Sequence, residues 1–413
     1  MGWGRDGLRR RPGPFDDGRG RHMLRGVEIM PGAPRISAVT GTNGKTSVVS
    51  ATVQLMRAAG WAAAGVDSLG VAHVDGTREP TRFQKSPDHL PGIIAEESRD
   101  GAEAVSLEAF VGILKDGLLD RVTVDVAVST GIESDHLDTL GSLEAYRAAK
   151  LRLFAEHLRP DGLAVVATDS AHGDLVAEAV SGRGAHLVTV GSGGDVELLD
   201  AVEEEGSLRG RLRIGDGMWE AVLPTVHAVA VTNLLLAATA VIGLGGDPGA
   251  VVEGLAGVTP PPGRLEVIGE REGVRTMVDT AHNPGALRAA LRSVRERTAG
   301  RVLLVVGAGG ERDRSKRPEM GAIAAELADL VVLTDDNPRR EPPARIRAEV
   351  RAGCPECIEV PFRADAIRAA LAMARPGDTV LVAGKGDETE QIVGTRRLPH
   401  DDRALLRAWV DGA

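Results

Sequence analysis

The chain has 413 residues, 43% hydrophobic and 26% charged, with 49 basic against 59 acidic side chains and a formal charge of −10. That balance fits a globular protein long enough for two or three domains with cores of their own, and it argues against nucleic acid, which selects a basic face. Two cysteines exclude a disulfide framework, and with neither a signal-peptide core nor a membrane-length apolar run the expectation is a cytoplasmic protein with no nucleic-acid or membrane partner.

In chain order, residues 1–34 hold seven Arg and four acidic residues among scattered Gly and Pro and read as a flexible tail, within which Met23 is a candidate start. From Arg35 onward, short apolar runs alternate with helical patterns: Ile36–Val39, Val122–Val128, Leu163–Ala167, Val302–Val306, Leu330–Leu333 and Thr379–Val382. Strands spaced by helices imply parallel sheets covered on both faces. The most apolar stretch, Ala228–Leu244, carries Thr232, Asn233 and Thr239 and reads as a buried helix. The run Pro260-Pro261-Pro262-Gly263 is the best linker, dividing domains expected at 35–262 and 263–413. The chain holds 43 Arg but only six Lys, at 45, 85, 115, 150, 316 and 385. A chain that otherwise favours Arg keeps a lysine where Arg would fail.

The strand Ile36–Val39 runs into Gly41-Thr42-Asn43-Gly44-Lys45-Thr46-Ser47 and then into a helix pattern over Val48–Met56. Strand, glycine loop and helix together make a phosphate cradle. Backbone N–H groups close round phosphate oxygens at the positive end of the helix, Lys45 reaches the β- and γ-phosphates, and the Thr46 hydroxyl holds Mg²⁺. ATP or GTP binding follows, although Val39 stands where the usual P-loop has its first glycine. Farther on, Gly131–Asp138 follows a strand of alternating valines and gathers Glu133, Asp135, His136 and Asp138, either a second hard-cation site or a solvated loop. The helix after it carries Lys150, one of the rare lysines, whose plain reading is a snorkelling surface lysine.

These segments resemble the Mur ligases, which form amide bonds with ATP. The resemblance rests on residues 40–47, Glu108, Asp135-His136-Leu137-Asp138 with Lys150 twelve residues on, Pro262–Glu266 and Asp279–Pro284. In the C-terminal part, Gly307–Pro318, Asp336-Asn337-Pro338-Arg339 and Gly384-Lys385-Gly386-Asp387-Glu388 are similar to the branch that adds diaminopimelate or lysine. The fold implied is α/β, a P-loop-type parallel-sheet ATPase domain followed by a smaller Rossmann-like domain that binds the amino acid. The chemistry implied is ADP-forming carboxylate–amine ligation: a carboxylate attacks the γ-phosphate of ATP, and an amine displaces phosphate from the acyl phosphate. The resemblance implies two Mg²⁺ ions, held by Thr46, Glu108, His136 and a CO₂-derived carbamate on Lys150, with Lys45, Glu108, His136 and Lys150 catalytic. Only a lysine, transiently neutral, takes up CO₂; Arg stays protonated. By the same likeness Asn233, Arg264, Asp279 and His282 line the nucleotide, and Asp336, Asn337, Arg339, Gly384 and Glu388 hold the amino acid. Arg339 suits a carboxylate through two parallel hydrogen bonds, and Glu388 an ammonium.

The acceptor side departs from the family. With fewer than 40 residues before the glycine loop, the expectation is that the UDP-sugar domain is absent. Lys85-Ser86-Pro87 stands where Thr-Thr-Pro is usual, and Glu108-Ala109-Phe110-Val111-Gly112 replaces Glu-Val-Ser-Ser-His. Gly131 and Ala230 each stand for an Asn, and Asp387 for a His. The expectation is an acceptor other than the usual UDP-muramyl peptide, with a muramyl-tripeptide synthetase or a folylpolyglutamate-type ligase as alternatives. A P-loop carboxylate kinase and a silent ATP-binding protein are the alternatives of another class. The lone Cys354-Pro355-Glu356-Cys357 has no second ligand pair for zinc. Oligomeric state is not legible.

Overall fold

A computed structural model describes residues 33–80, 84–132, 142–170, 172–204, 206–225 and 227–412. The Arg-rich tail with Met23, and the loop bearing His136, lie outside the described residues. What is described divides into two compact units, the first made of nearly all residues up to 259 and the second chiefly of 260–412.

The first unit is built on one sheet of eleven strands among the described residues: β1 (Arg35–Thr40), β2 (Ala63–Asp67), β3 (Gly70–Ala72), β4 (Arg78–Glu79), β5 (Ala104–Glu108), β6 (Val124–Ser129), β7 (Leu158–Ala167), β8 (His186–Val190), β9 (Val196–Glu204), β10 (Ser207–Ile214) and β11 (Gly217–Leu223). Their order is β11-β10-β9-β8-β7-β6-β1-β5-β2-β3-β4. From β2 across to β9 every pairing is parallel, and β1 sits between β5 and β6. Strands covered on both faces are largely apolar, which is why β1, β6 and β7 contain runs legible in the sequence, whereas β5 (Ala-Val-Ser-Leu-Glu) does not read as one. One face packs against helices Lys45–Ala58 and Ala228–Gly243 through Val49, Met56, Leu235 and Val241. The other packs under His89–Arg99 and Val111–Lys115 through Ile94, Ile113 and Phe154.

The sheet is not wholly parallel. Leu208, Gly210, Leu212 and Ile214 alternate with Arg209, Arg211 and Arg213, so β10 has a covered and a wet face and pairs antiparallel with both β9 and β11, the latter through the two-residue turn Gly215-Asp216. At the opposite edge β3 and β4 are antiparallel as well. The parallel-sheet expectation fails at these edges: β10 alternates covered and wet residues, and at the other edge β4 is exposed while β3 stays buried. Ala228–Gly243 is the buried helix expected there, closed off from Leu234 to Gly243, and no described helix is long and apolar enough to cross a membrane.

The second unit has a six-stranded sheet in the order β12-β13-β17-β14-β15-β16, with β12 (Glu266–Arg271), β13 (Val274–Asp279), β14 (Val302–Val306), β15 (Leu330–Leu333), β16 (Ile358–Glu359) and β17 (Thr379–Ala383). Only β12 is antiparallel. Helices Pro284–Arg295, Lys316–Leu327 and Pro343–Arg351 cover one face; Arg363–Met373 and Asp402–Asp411 cover the other. A small hairpin, β18 (Glu390–Val393) with β19 (Arg396–Pro399), follows. Buried Arg363 and Asp402 tie the second pair of helices together, with Arg363 Nη2 also donating to the Ala383 carbonyl at 2.8 Å. Both charges are buried only because each meets the other in good geometry. Asp279, Gly307, Asp336 and Gly384 all lie at or just past the carboxyl ends of parallel strands, where doubly wound sheets place ligands.

Candidate active site

In the first unit β1 ends at Thr40 and the helix begins at Lys45, so four residues turn the chain. Gly44, just before the helix, has φ +85, and a Cβ there would stand 2.8 Å from Asn233 Oδ1. A side chain would be both strained and blocked; the loop needs glycine. Lys45 Nζ donates to the Thr42 carbonyl at 3.0 Å and lies 4.0 Å from Glu108 Oε1. Thr46 Oγ1 donates to Glu108 Oε2 at 2.9 Å and lies 3.1 Å from Ser68 Oγ, while the Ser68 N–H donates to the same Glu108 oxygen. Two hydroxyls and a buried carboxylate thus converge beneath the lysine, a set of hard oxygen donors of the kind Mg²⁺ takes. Ser68 was not singled out in the sequence. Its one signal is position, immediately after the carboxyl end of β2.

Lys150 stands on helix Leu143–Arg152 with only 1% of its surface exposed, and its Nζ donates to the Gly41 carbonyl at 2.5 Å. The snorkelling alternative is therefore wrong: the lysine points into the protein, onto the glycine loop. Asn233 lies beside the same loop, at Gly44. Thr42, Asn43 and Ser47 belong to it by sequence; Thr130 Oγ1, another residue the sequence did not mark, donates to the Asn43 carbonyl. His136 lies outside the described residues.

In the second unit Asp279 closes β13. Its oxygens accept from Leu265 N at 2.7 Å and Ala281 N at 2.8 Å, latching two turns together. Burial pushes its carboxyl above the ordinary aspartate value, against those two N–H groups and the nearby Arg264 charge. Arg264 Nη1 pairs with Asp387 Oδ1 at 2.9 Å, and His282 Nδ1 lies 2.7 Å from the Thr280 carbonyl. Arg264, Asp279, His282 and Asp387 thus share a cluster of turns, while Asn283 caps the helix after it through Ala286 N.

The residues beyond β15 and β17 form a second cluster. Asn337 Nδ2 donates to Glu388 Oε2 at 2.8 Å; Lys385 Nζ donates to that same oxygen at 2.6 Å and to Asn337 Oδ1 at 3.1 Å. Lys385, fully buried, is the missed member: its rarity drew notice, its place in this network could not be read. Gly384 has φ +110, and a Cβ on it would stand 2.7 Å from Asp336 Oδ2. That Asp336 oxygen is buried with no hydrogen-bond partner among the described residues. Arg339 holds a left-handed φ of +52 and donates through Nη1 to the Gly310 carbonyl at 2.8 Å. Burial first, then the Arg312 charge, lower its pKa, yet a guanidinium stays protonated at any working pH. Cys354 and Cys357 are free thiols inside the core, Cys354 pushed up to about 11 by burial, so neither is a reactive thiolate.

Comparison with known proteins settles the class. Residues 39–241 match the Mur ligase middle domain, and residues 263–386 the Mur ligase, glutamate ligase domain. The chain is 40% identical over 375 residues to the UDP-N-acetylmuramoyl-L-alanyl-D-glutamate--2,6-diaminopimelate ligase of Brucella melitensis biotype 1, covering 90% of this chain and 76% of that one. It belongs to the Mur ligase family. The corresponding ligase of Rhizobium meliloti is 38% identical, with 91% and 78% covered. A solved UDP-N-acetylmuramoyl-L-alanyl-D-glutamate--2,6-diaminopimelate ligase superposes with a TM-score of 0.64 at 31% identity over 92% of this chain and 79% of that one. The folylpolyglutamate synthase of Mycobacterium tuberculosis, in a structure with ADP and AMPPCP, shares the fold at 21% identity and a TM-score of 0.67, with 85% and 88% covered. This Mur ligase is an ATP-dependent, ADP-forming acid–amino-acid ligase, which sets aside the carboxylate-kinase alternative.

Proposed function

We propose that this Mur ligase adds a diaminopimelate-like amino acid to a carboxylic acceptor through an acyl phosphate. The acceptor carboxylate oxygen attacks the γ-phosphorus and ADP leaves. The amine nitrogen then attacks the acyl carbon, phosphate leaves with the bonding pair, and the nitrogen gives up its proton. The N–H groups of residues 41–47 and Lys45 would cradle the phosphates, and the family resemblance implies Asn233, Arg264, Asp279 and His282 as further nucleotide residues. Thr46 and Glu108, with Ser68, would hold one Mg²⁺, and the family resemblance implies that His136 and a carbamate on Lys150 would hold a second; such ions would supply charge neutralisation for the phosphoryl group. The buried Lys150 amine on the Gly41 carbonyl supports its share in this. Dependence on ATP supports a cytoplasmic enzyme.

The observation that carries the amino-acid reading is the orphaned Asp336 oxygen at the edge of the Asn337–Lys385–Glu388 network. A buried acceptor without a donor is costly, and a substrate ammonium supplies the donor. Arg339, with its fork of donors, takes the carboxylate beside it. An amino acid with both groups at its far end fits, as diaminopimelate has.

For the acceptor, the diaminopimelate ligases named above act on UDP-N-acetylmuramoyl-L-alanyl-D-glutamate, and that is the first reading. A second rests on the altered segments. Lys85 is exposed and paired with Asp116 at 3.2 Å, and the Phe110 ring fills the space over Gly112. A phosphate-release screen of amino acids against candidate acids tests both. Release requiring acid and amine together, strongest with diaminopimelate, supports the proposal; release without amine defeats it. Robust product from the UDP-muramyl dipeptide overturns the second reading.

A further inference from the structure

Outside the ligase chemistry, the first unit holds a cluster that nothing above uses. Helix Leu143–Arg152 runs into a π turn, Leu153–His157, before β7. Such widened turns concentrate at functional positions. This one aims Glu156 and His157 at Asp120, and the ligand atoms of all three lie within 4.8 Å of one another.

The His157 side chain is 4% exposed, and its Nε2 points at Asp120 Oδ1, 3.8 Å away. That nitrogen is buried with no hydrogen-bond partner among the described residues. The ring's hydrogen bond goes to the Leu119 backbone instead. A carbonyl on one ring nitrogen fixes the tautomer and leaves the lone pair on the other, the arrangement of an imidazole held ready for a metal. Asp120 and Glu156 are half exposed, so an ion reaches them from solvent and both carboxylates have room to close by the ångström or so that coordination needs.

At present Arg152 stands between the carboxylates, its Nη2 3.1 Å from Asp120 Oδ1 and 2.7 Å from Glu156 Oε2. An ion-pair cluster explains the two acids and the arginine. It does not explain the imidazole, to which the guanidinium gives nothing. We propose that Asp120, Glu156 and His157 form a site for a divalent transition metal of the zinc class, which displaces the Arg152 head group and takes water as its fourth ligand. Two carboxylates alone would suit Mg²⁺ or Ca²⁺; the imidazole nitrogen selects Zn²⁺, Co²⁺ or Ni²⁺. The site is independent of the proposed substrates.

The test is a Zn²⁺ titration of the untagged full chain by calorimetry, after chelation and in excess Mg²⁺ to occupy oxygen-only sites, with Co²⁺ visible absorption as a second readout. One equivalent should bind to the wild-type protein. His157→Gln and, independently of any folding defect at the buried ring, Asp120→Asn should each weaken it at least about tenfold, while Arg152→Gln, lacking the competing cation, should bind more tightly. Absence of binding in the wild-type protein, or affinity unchanged in both His157→Gln and Asp120→Asn, overturns the proposal.

Discussion

The glycine loop of the first unit and the Asp336–Glu388 cluster of the second hold their ligand groups in opposite ways. In the loop the backbone does most of the placing, and the charges are already matched: Lys45 against Glu108 and the Thr42 carbonyl, Lys150 against the Gly41 carbonyl. In the cluster side chains do the placing, and one group is left unmatched, the buried Asp336 oxygen, beside an arginine kept in a left-handed conformation. On the proposed function, a loop that takes up phosphates needs only geometry, whereas a pocket that chooses one amino acid keeps an unmet demand that the right ligand fills and a wrong one does not.

The sharpest way to break this contrast lies at the two lysines that meet the loop, Lys45 and Lys150. Lys45→Ala should lower kcat about 10²–10³-fold in an ADP-release assay, with circular dichroism unchanged. Lys150→Arg should lose turnover as well; full activity there, independent of bicarbonate, would remove the carbamate from the scheme. In the cluster, Arg339→Gly separates binding from folding. It should raise KM for the amino acid about 30-fold, about 2 kcal/mol, and leave KM for ATP alone. Because φ +52 suits glycine better than arginine, denaturant melts should show stability within about 1 kcal/mol of the parent. A large loss of stability would instead make Arg339 a structural residue. Gly44→Ala reverses the pattern, lowering stability by about 1–3 kcal/mol through the backbone itself, read as a lower melting midpoint.

The smallest effect is the pH dependence of the thiol control. Burial raises Cys354 to about 11, so the folded state holds that proton more tightly than the unfolded chain, whose thiols titrate near pH 8.5–9. Its contribution to stability is therefore complete below about pH 8.5 and is lost as pH rises through about 11. Cys354→Ser should flatten the melting-versus-pH curve in that window, on top of a pH-independent loss of about 1–3 kcal/mol from burying a hydroxyl in the core.

Strands that are unbroken apolar runs were legible, because a segment such as Val302–Val306 can hardly be anything else once glycine and charge close it off, whereas β2 and β5, equally buried, were not, being interrupted by Gly65 and Asp67 and by Ser106 and Glu108. The β9–β11 extension was not read. Its alternation of leucine and arginine is a signal of a different period, and apolar runs alone do not find it. The glycine loop could be read because its residues are contiguous; Ser68, Thr130 and Lys385 could not, since only the crossing of strands brings them to partners 22, 87 and 48 positions away. Lys150 is the instructive middle case. Scarcity of lysine drew attention to it, but its burial came only from the fold.

That scarcity gives the molecule a chemical signature. With six amines and 43 guanidiniums, an acylating reagent meets few targets, and the fold grades them steeply. Lys85 and Lys115 stand open to solvent, whereas Lys150 and Lys385 are shut away. Brief labelling followed by peptide mass mapping should therefore mark the first two and spare the second two, and any loosening of the helix Leu143–Arg152 or of the turn at Gly384 would announce itself as a new modified peptide.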